Sequence, residues 1–201
     1  MKSKYFYIII LSAFVALFFS CDEIEGPYIK DEATIWNGKK TLILDFTGHC
    51  CGNCPRAHKT IDELVEKFGD AIVPVAVHST YFAMPETTDT SKPFHYDFRT
   101  SFGDFWGGRD YAFGHLGEIY LPTGLVNNLN PDQVTNTNAW AGLIASVLAN
   151  YPEYNIEIYP SYSNSDSLAK ADIKIITNIK NHRELSLLVF IVEDGIIQWQ
   201  K

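Results

Sequence analysis

Three of the chain's four cysteines fall within His49-Cys50-Cys51-Gly52-Asn53-Cys54-Pro55. Cys51 and Cys54 make a CxxC spacing. The motif lies between an apolar run, Thr41-Leu42-Ile43-Leu44-Asp45-Phe46, and a helical pattern that begins near Pro55. A cysteine at the mouth of a helix faces unpaired backbone N–H groups and the positive end of the helix dipole, which favour thiolate over thiol. A second cysteine three residues on lies one turn away, within reach of a disulfide with the first. Strand, CxxC and helix in that order are what reversible thiol–disulfide chemistry requires.

The elements that hold the motif follow from periodicity. Leu42 to Phe46 is nearly continuous in apolar residues, as in a buried strand. From Pro55, residues Ala57, Ile61, Leu64, Val65 and Phe68 recur at three- and four-residue steps. They predict an amphipathic helix that stops at Gly69, with Pro55 in the first turn, where its missing N–H costs nothing. Ala71 to Val77 predicts a second buried strand, so the unit is expected to pair its strands in parallel through a right-handed crossover. An insertion from 79 to 118 follows, rich in aromatic residues (Tyr81, Phe82, Phe94, Phe102, Phe105, Trp106, Tyr111) and carrying Gly107-Gly108. Its length predicts short helices and a small core of its own. The aromatics either pack beneath the insertion or form an apolar lid beside the cysteines. Tyr120 to Asn127 reads as a turn into a third strand, and Asn138 to Ala149 as a helix with Trp140, Leu143, Ile144, Val147 and Leu148 on one side.

After Tyr154 the texture changes. Asn155 to Tyr159 and Leu168 to Ile179 alternate apolar and polar residues about the turn Asn164-Ser165-Asp166-Ser167. Leu185 to Val192 is a third strand candidate, and Glu193-Asp194-Gly195 a tight turn into Ile196 to Trp199. This is antiparallel β of the Ig-like sandwich kind, with too few strands to complete one. Either the sandwich is cut off mid-domain at residue 201, or its strands lean on the first domain.

At the other end, Lys2 and Lys4 precede an apolar run from Tyr5 to Phe19 that is too short to span a bilayer comfortably. Residues 1–20 are expected to be a leader. The formal net charge of −8 is two units more negative without those lysines, and no basic cluster occurs elsewhere. Nucleic-acid binding, which needs a basic face, is excluded as an expectation. Past the leader about 180 residues remain, enough for one sizeable domain or two small ones. The three cysteines left lie within five positions, which suits chemistry rather than a disulfide scaffold.

Several of these features resemble known families. Phe18-Phe19-Ser20-Cys21 resembles a relaxed lipobox, which implies a lipid on Cys21. The acidic stretch Asp22 to Pro27 resembles the tether of surface-exported lipoproteins of Bacteroidetes, or is a plain solvated linker. Leu44-Asp45-Phe46 followed by Cys51-Gly52-Asn53-Cys54 resembles the thioredoxin superfamily, in which an acidic strand residue precedes the first active-site cysteine by six positions. Leu121-Pro122-Thr123 resembles that family's cis-proline loop. More closely, Phe46-Thr47-Gly48-His49, Cys54-Pro55-Arg56-Ala57-His58 and Pro122 to Asn127 resemble the "outer membrane protein twenty-eight" lipoproteins of Bacteroidetes, from about Lys40 onward.

The resemblance implies an α/β thioredoxin-like fold with a long insertion, followed by the antiparallel β region. The divisions are 1–20 leader, 21–32 acidic tether, 33–151 thioredoxin-like domain with insertion 79–118, and 152–201 β-rich. It implies that Cys51 attacks as a thiolate, helped by the helix and by His49 if protonated. Cys54 is the less exposed, resolving partner. A buried Asp45 takes the resolving thiol's proton, unless it is merely a strand-end residue paired with a lysine. Pro122, if cis, exposes backbone to which a peptide adds as a strand. Cys50 either fills a variable position or makes Cys50-x-x-x-Cys54-Pro55, which resembles the CxxxCP of copper-delivery proteins, with His49, His58 or His115 as a further ligand. His58 is expected at the surface and His78 to be structural.

The expected function is therefore that of a lipid-anchored cell-envelope thiol–disulfide oxidoreductase. It would act in the outer membrane, on its periplasmic or its outer face, with exported protein thiols or disulfides as partners. It would need no cofactor beyond the Cys51–Cys54 disulfide. Copper-binding assembly protein and non-catalytic adhesion or scaffold lipoprotein are the rivals.

Overall fold

The computed structural model describes residues 38–109, 113–127, 130–180 and 184–201. The leader, Cys21 and the acidic tether lie outside them. The described chain is a mixed α/β structure with a small sheet and helices, β1(Thr41–Thr47), α1(Cys54–Phe68), β2(Ile72–His78), α2(Ser101–Gly107), β3(Thr123–Val126), α3(Thr137–Leu148), β4(Tyr154–Ser163) and β5(Leu168–Thr177), with single 3-10 turns at Gly69–Ala71, Tyr81–Ala83 and Pro131–Gln133.

Strand β1 is the middle of a three-stranded sheet ordered β2-β1-β3. It runs parallel to β2, with Thr41 opposite Ile72 and Thr47 opposite His78, and antiparallel to β3, with Ile43 opposite Val126 and Phe46 opposite Thr123. The parallel pair agrees with the sequence reading. Alternation along β1 sends successive side chains to opposite faces. Ile43 joins Ala57, Leu64, Ile72, Val126, Trp140 and Ile144 beneath α1 and α3. Leu44 and Phe46 join Val77, Leu116 and Leu125 on the other side. Both faces are covered, which is why the run is almost uniformly apolar.

Helix α1 has Asn53 at its N-cap, carries Pro55 in its first turn and ends where Gly69 adopts φ 53°. Gly69 accepts that left-handed conformation without a Cβ penalty, so the stop lies where the sequence places it.

Several expectations need correction. Strand β2 is not buried throughout. Ile72 and Val77 are buried, but Val73, Pro74 and Ala76 are exposed, because β2 is an edge of the described sheet. Pro74, which has no N–H, is tolerated in such a position. The insertion does contain a short helix, α2, capped by the Thr100 hydroxyl accepting from Gly103 N at 3.0 Å. Among the described residues it has no separate core, however. Phe102, Trp106 and Ile119 pack on the sheet cluster of Leu44, Phe46 and Leu125. In α3, Trp140 and Ile144 are buried, whereas Leu143 is exposed. Finally, β4 and β5 form an antiparallel hairpin, but residues 184–201 contain no strand. The runs at Leu185–Val192 and Ile196–Trp199 have the strand pattern without a hydrogen-bonded neighbour, and pattern alone makes no strand. Among the described residues, no helix is long and apolar enough to cross a membrane.

Candidate redox site at the mouth of helix α1

Strand β1 delivers its last residue, Thr47, to a tight loop that feeds directly into α1. Cys51 N donates to Gly48 O at 2.9 Å and Cys54 N to Cys51 O at 3.3 Å, so the loop winds toward the helix before the helix begins. The insertion pins it from outside through Cys50 N donating to Phe82 O at 3.1 Å. A Cβ on Gly48 would stand 2.5 Å from Phe82 Cβ, so only glycine permits this approach.

Cys51 and Cys54 are joined by a disulfide with their Cα atoms 5.5 Å apart. Cys54 is the first residue of α1 and fully buried, and Cys51 precedes the helix with 2% of its surface exposed. Both cysteines are therefore shielded, Cys54 being the less exposed as the sequence reading expected. The Leu121–Pro122 bond is cis. It leads into β3 at Thr123, which pairs with Phe46 near the end of β1. The proline turn and the cysteine loop consequently lie at the same end of the sheet. A cleft of about 340 Å³ runs between Leu121 and Phe82, lined also by Tyr81, Phe113 and Tyr120.

Among the described residues Asp45 has no lysine partner. It is completely buried on the helix-facing side of β1, and neither carboxylate oxygen has a hydrogen-bond partner among the described residues. Burial without compensation favours the neutral acid and pushes its pKa up to about 7. His58, one turn beyond Cys54 on α1, places Nε2 3.6 Å from Asp45 Oδ2 and 3.1 Å from Thr47 Oγ1. Burial lowers the His58 pKa, with the nearby Asp62 charge opposing. Burial thus favours the uncharged form of both groups, which meet without forming a fixed ion pair. His58 keeps 38% of its side chain exposed, in keeping with the surface expectation, while its i+4 relation to Cys54 sets it on the helix face that meets Asp45.

His49 is buried against Phe94 and Phe98, with ring centroids at 5.9 and 4.9 Å. Burial lowers its pKa, with Glu86 and Asp97 opposing, so a protonated His49 beside the thiolate is disfavoured at neutral pH. His78 stacks on the same Phe98 at 4.3 Å, and burial takes its pKa down to about 4. Cys50 is a free, partly buried thiol whose Sγ contacts Met84 O at 3.7 Å. Burial, then Glu86, pushes its pKa up, away from thiolate character. Among the described residues no group of three or more His, Cys, Asp or Glu is arranged for a metal ion, and Cys54 is engaged with Cys51. His115 is elsewhere, stacked on Phe105.

No family model and no curated protein matches this chain. Among solved structures, a protein of Agrobacterium tumefaciens from a structural genomics programme is similar at a TM-score of 0.40 and 12% identity, over 71% of this chain and 74% of that one. Likeness at that level carries no argument about fold or function, and the reading rests on the site itself.

Two features of that site were not foreseen. One is the approach of His58 to Asp45. The other is where segment 184–201 leans on the earlier part of the chain, one of the two expectations for it: it returns to the cysteine loop. Phe190 packs edge-on against Phe102 at 5.1 Å. Gln200 Nε2 then donates to Gly48 O at 3.2 Å and Cys51 O at 3.1 Å, and Lys201 N donates to His49 O at 3.0 Å.

Proposed function

We propose that the chain is a thiol–disulfide oxidoreductase of the thioredoxin-like kind, exchanging disulfides with exported proteins through Cys51 and Cys54. The observation that carries this reading is the combination of a Cys51–Cys54 disulfide at the mouth of α1 with a buried acid on the adjoining strand that has no hydrogen-bond partner among the described residues. A structural disulfide has no need of Asp45. A dithiol that must lose a proton does.

From the oxidised state, a substrate thiolate attacks Cys51 Sγ. The Cys51–Cys54 bond breaks, the electron pair leaves on Cys54 and a mixed disulfide forms. Cys54 thiolate takes up a proton, for which Asp45, poised near pH 7, and His58 are the candidate sources. A second substrate thiolate then displaces Cys51, leaving an oxidised substrate and the reduced Cys51/Cys54 dithiol. The steps run in reverse on a substrate disulfide, with Cys51 attacking and Cys54 resolving. An external dithiol or disulfide resets the pair, and its potential sets the direction.

The wider proposal keeps the resemblance to the "outer membrane protein twenty-eight" lipoproteins. It includes a lipid anchor on Cys21, an outer-membrane location, and a β4–β5 hairpin belonging to an Ig-like layer. The test is insulin disulfide reduction by the full chain in detergent with a dithiol donor. Activity is expected to vanish in Cys51→Ser and to persist in Cys50→Ser. Equal activity in all three proteins would reject the exchange reading.

A further inference from the structure

Beside the cysteine loop lies a second groove of about 260 Å³, lined by Cys50, Tyr81, Phe82, Met84, Pro85, Glu86 and Lys201. Lys201 is the sole basic group lining it. Its Nζ pairs with Glu86 Oε1 and stands 5.4 Å from the Phe94 ring centroid, between a carboxylate and an aromatic face. A carboxylate and a π face together select for a cation and against an anion. The main chain is engaged at one point, where Lys201 N donates to His49 O, and the Gln200 side-chain amide Nε2 donates to the carbonyls of Gly48 and Cys51. Those carbonyls flank the exchanging sulfur; His49 O accepts from a backbone N–H, as any polypeptide can supply, whereas Gly48 O and Cys51 O accept from a side-chain amide. The chain is thus seen holding its own peptide against the cysteine loop, with one side chain read by charge.

We propose that Glu86 and Phe94 form a subsite for a Lys or Arg of the polypeptide substrate, close to its reacting cysteine, and that Gln200–Lys201 occupy this subsite as a built-in competitor. The assignment of the occupant as substrate rests on the exchange reading; its binding does not. A substrate reaching the buried Cys51 must take over the carbonyls that residues 200 and 201 hold. A basic substrate also replaces Lys201 at Glu86, so that the carboxylate keeps a cation throughout. A substrate with an acidic residue there places two carboxylates together.

The test uses two fluorescein-labelled peptides of otherwise identical sequence, with a central residue flanked by Lys or by Ala. That residue is Ser for anisotropy binding and one of a Cys pair for exchange rates. The full chain is expected to bind the Lys peptide about threefold to fivefold more tightly, the range of a part-exposed ion pair, with the gap shrinking at high salt. Lys201→Ala should tighten the Lys peptide further, by about threefold. Glu86→Gln should bring the Lys-to-Ala ratio close to one, and Lys174→Gln, on β5, should leave both affinities unchanged. Equal binding of the two peptides by the wild type and Lys201→Ala, or a Lys preference that survives Glu86→Gln, overturns the subsite. If the Glu86-dependent preference holds but no peptide is oxidised, the subsite stands and the redox reading falls. If the Ala peptide is oxidised as fast as the Lys peptide and binds as well, the redox reading stands and the subsite falls.

Discussion

Strand β1 and the β4–β5 hairpin are written in similar residues and meet different fates. Ile43, Leu44 and Phe46 of β1 are at most 1% exposed, whereas Ile156, Ile158, Tyr159 and Tyr162 of β4 are each more than half exposed. Both segments have complete hydrogen-bonded registers. The difference is what covers their faces: α1 and α3 on one side of β1, the insertion on the other, and among the described residues nothing comparable on the hairpin. A ladder holds a strand's geometry, but burial supplies most of the stabilisation. Chemistry that needs a shifted pKa belongs in the first region, because only there is water excluded from a carboxylate.

Substitutions along the two regions sharpen the contrast. Phe46→Ala leaves a cavity between the sheet and the insertion and is expected to lower unfolding free energy by about 3–5 kcal/mol, read by denaturant unfolding. An effect below about 1 kcal/mol would show that the core can collapse around the loss.

Asp45→Asn should act in the other direction, and only where the acid would ionise. The folded pKa is about 7 against an ordinary value of 3.8. Between those values the native state holds the extra proton, so wild-type stability falls as pH rises. His78, depressed to about 4, works oppositely between pH 4 and 6.5, so the variant-minus-wild-type difference is the quantity to follow. At pH 8 Asp45→Asn is expected to be more stable by about 2–4 kcal/mol, with the gap closing below pH 4. A gap independent of pH would contradict the buried-acid account. The same variant should slow exchange, separating a functional acid from a merely tolerated one.

Gly48→Ala, which drives a methyl into Phe82, is expected to cost about 1–3 kcal/mol and to weaken the hold of the insertion on the cysteine loop. Increased alkylation of Cys50 in the folded state would report that loosening. At the small end, Ile158→Ala on the exposed hairpin should change stability by no more than about 0.5 kcal/mol. A larger loss would mean that the hairpin face is covered.

Much of the first region was legible before any coordinates. Continuous apolar character marks β1 because both faces are buried, and Gly69 ends α1 because glycine alone takes the left-handed turn freely. The CxxC pair sits where strand gives way to helix. What remained hidden depends on contacts between distant segments. Whether Ala71–Val77 is a central or an edge strand depends on what lies beside it, and apolar content does not say. His58 looks like any helical surface residue until β1 brings Asp45 and Thr47 against it. His49 has the right position to help a thiolate, but Phe94 and Phe98, contributed by the insertion, keep it neutral. Residues 185–192 and 196–199 carry a strand pattern but pair with none of the edge strands β2, β3, β4 and β5. That Gln200 and Lys201 return to residues 48–51 is a contact across most of the chain, with no periodicity to announce it.

The central claim is that Cys51 is the sulfur that exchanges with substrate. A Cys54→Ser variant lacks the resolving thiol and should trap a mixed disulfide when given an activated peptide disulfide. Mass spectrometry of the proteolysed, unreduced protein then locates the adduct. The account predicts one peptide per chain, on Cys51; an adduct confined to Cys50, or none on either cysteine, would contradict it.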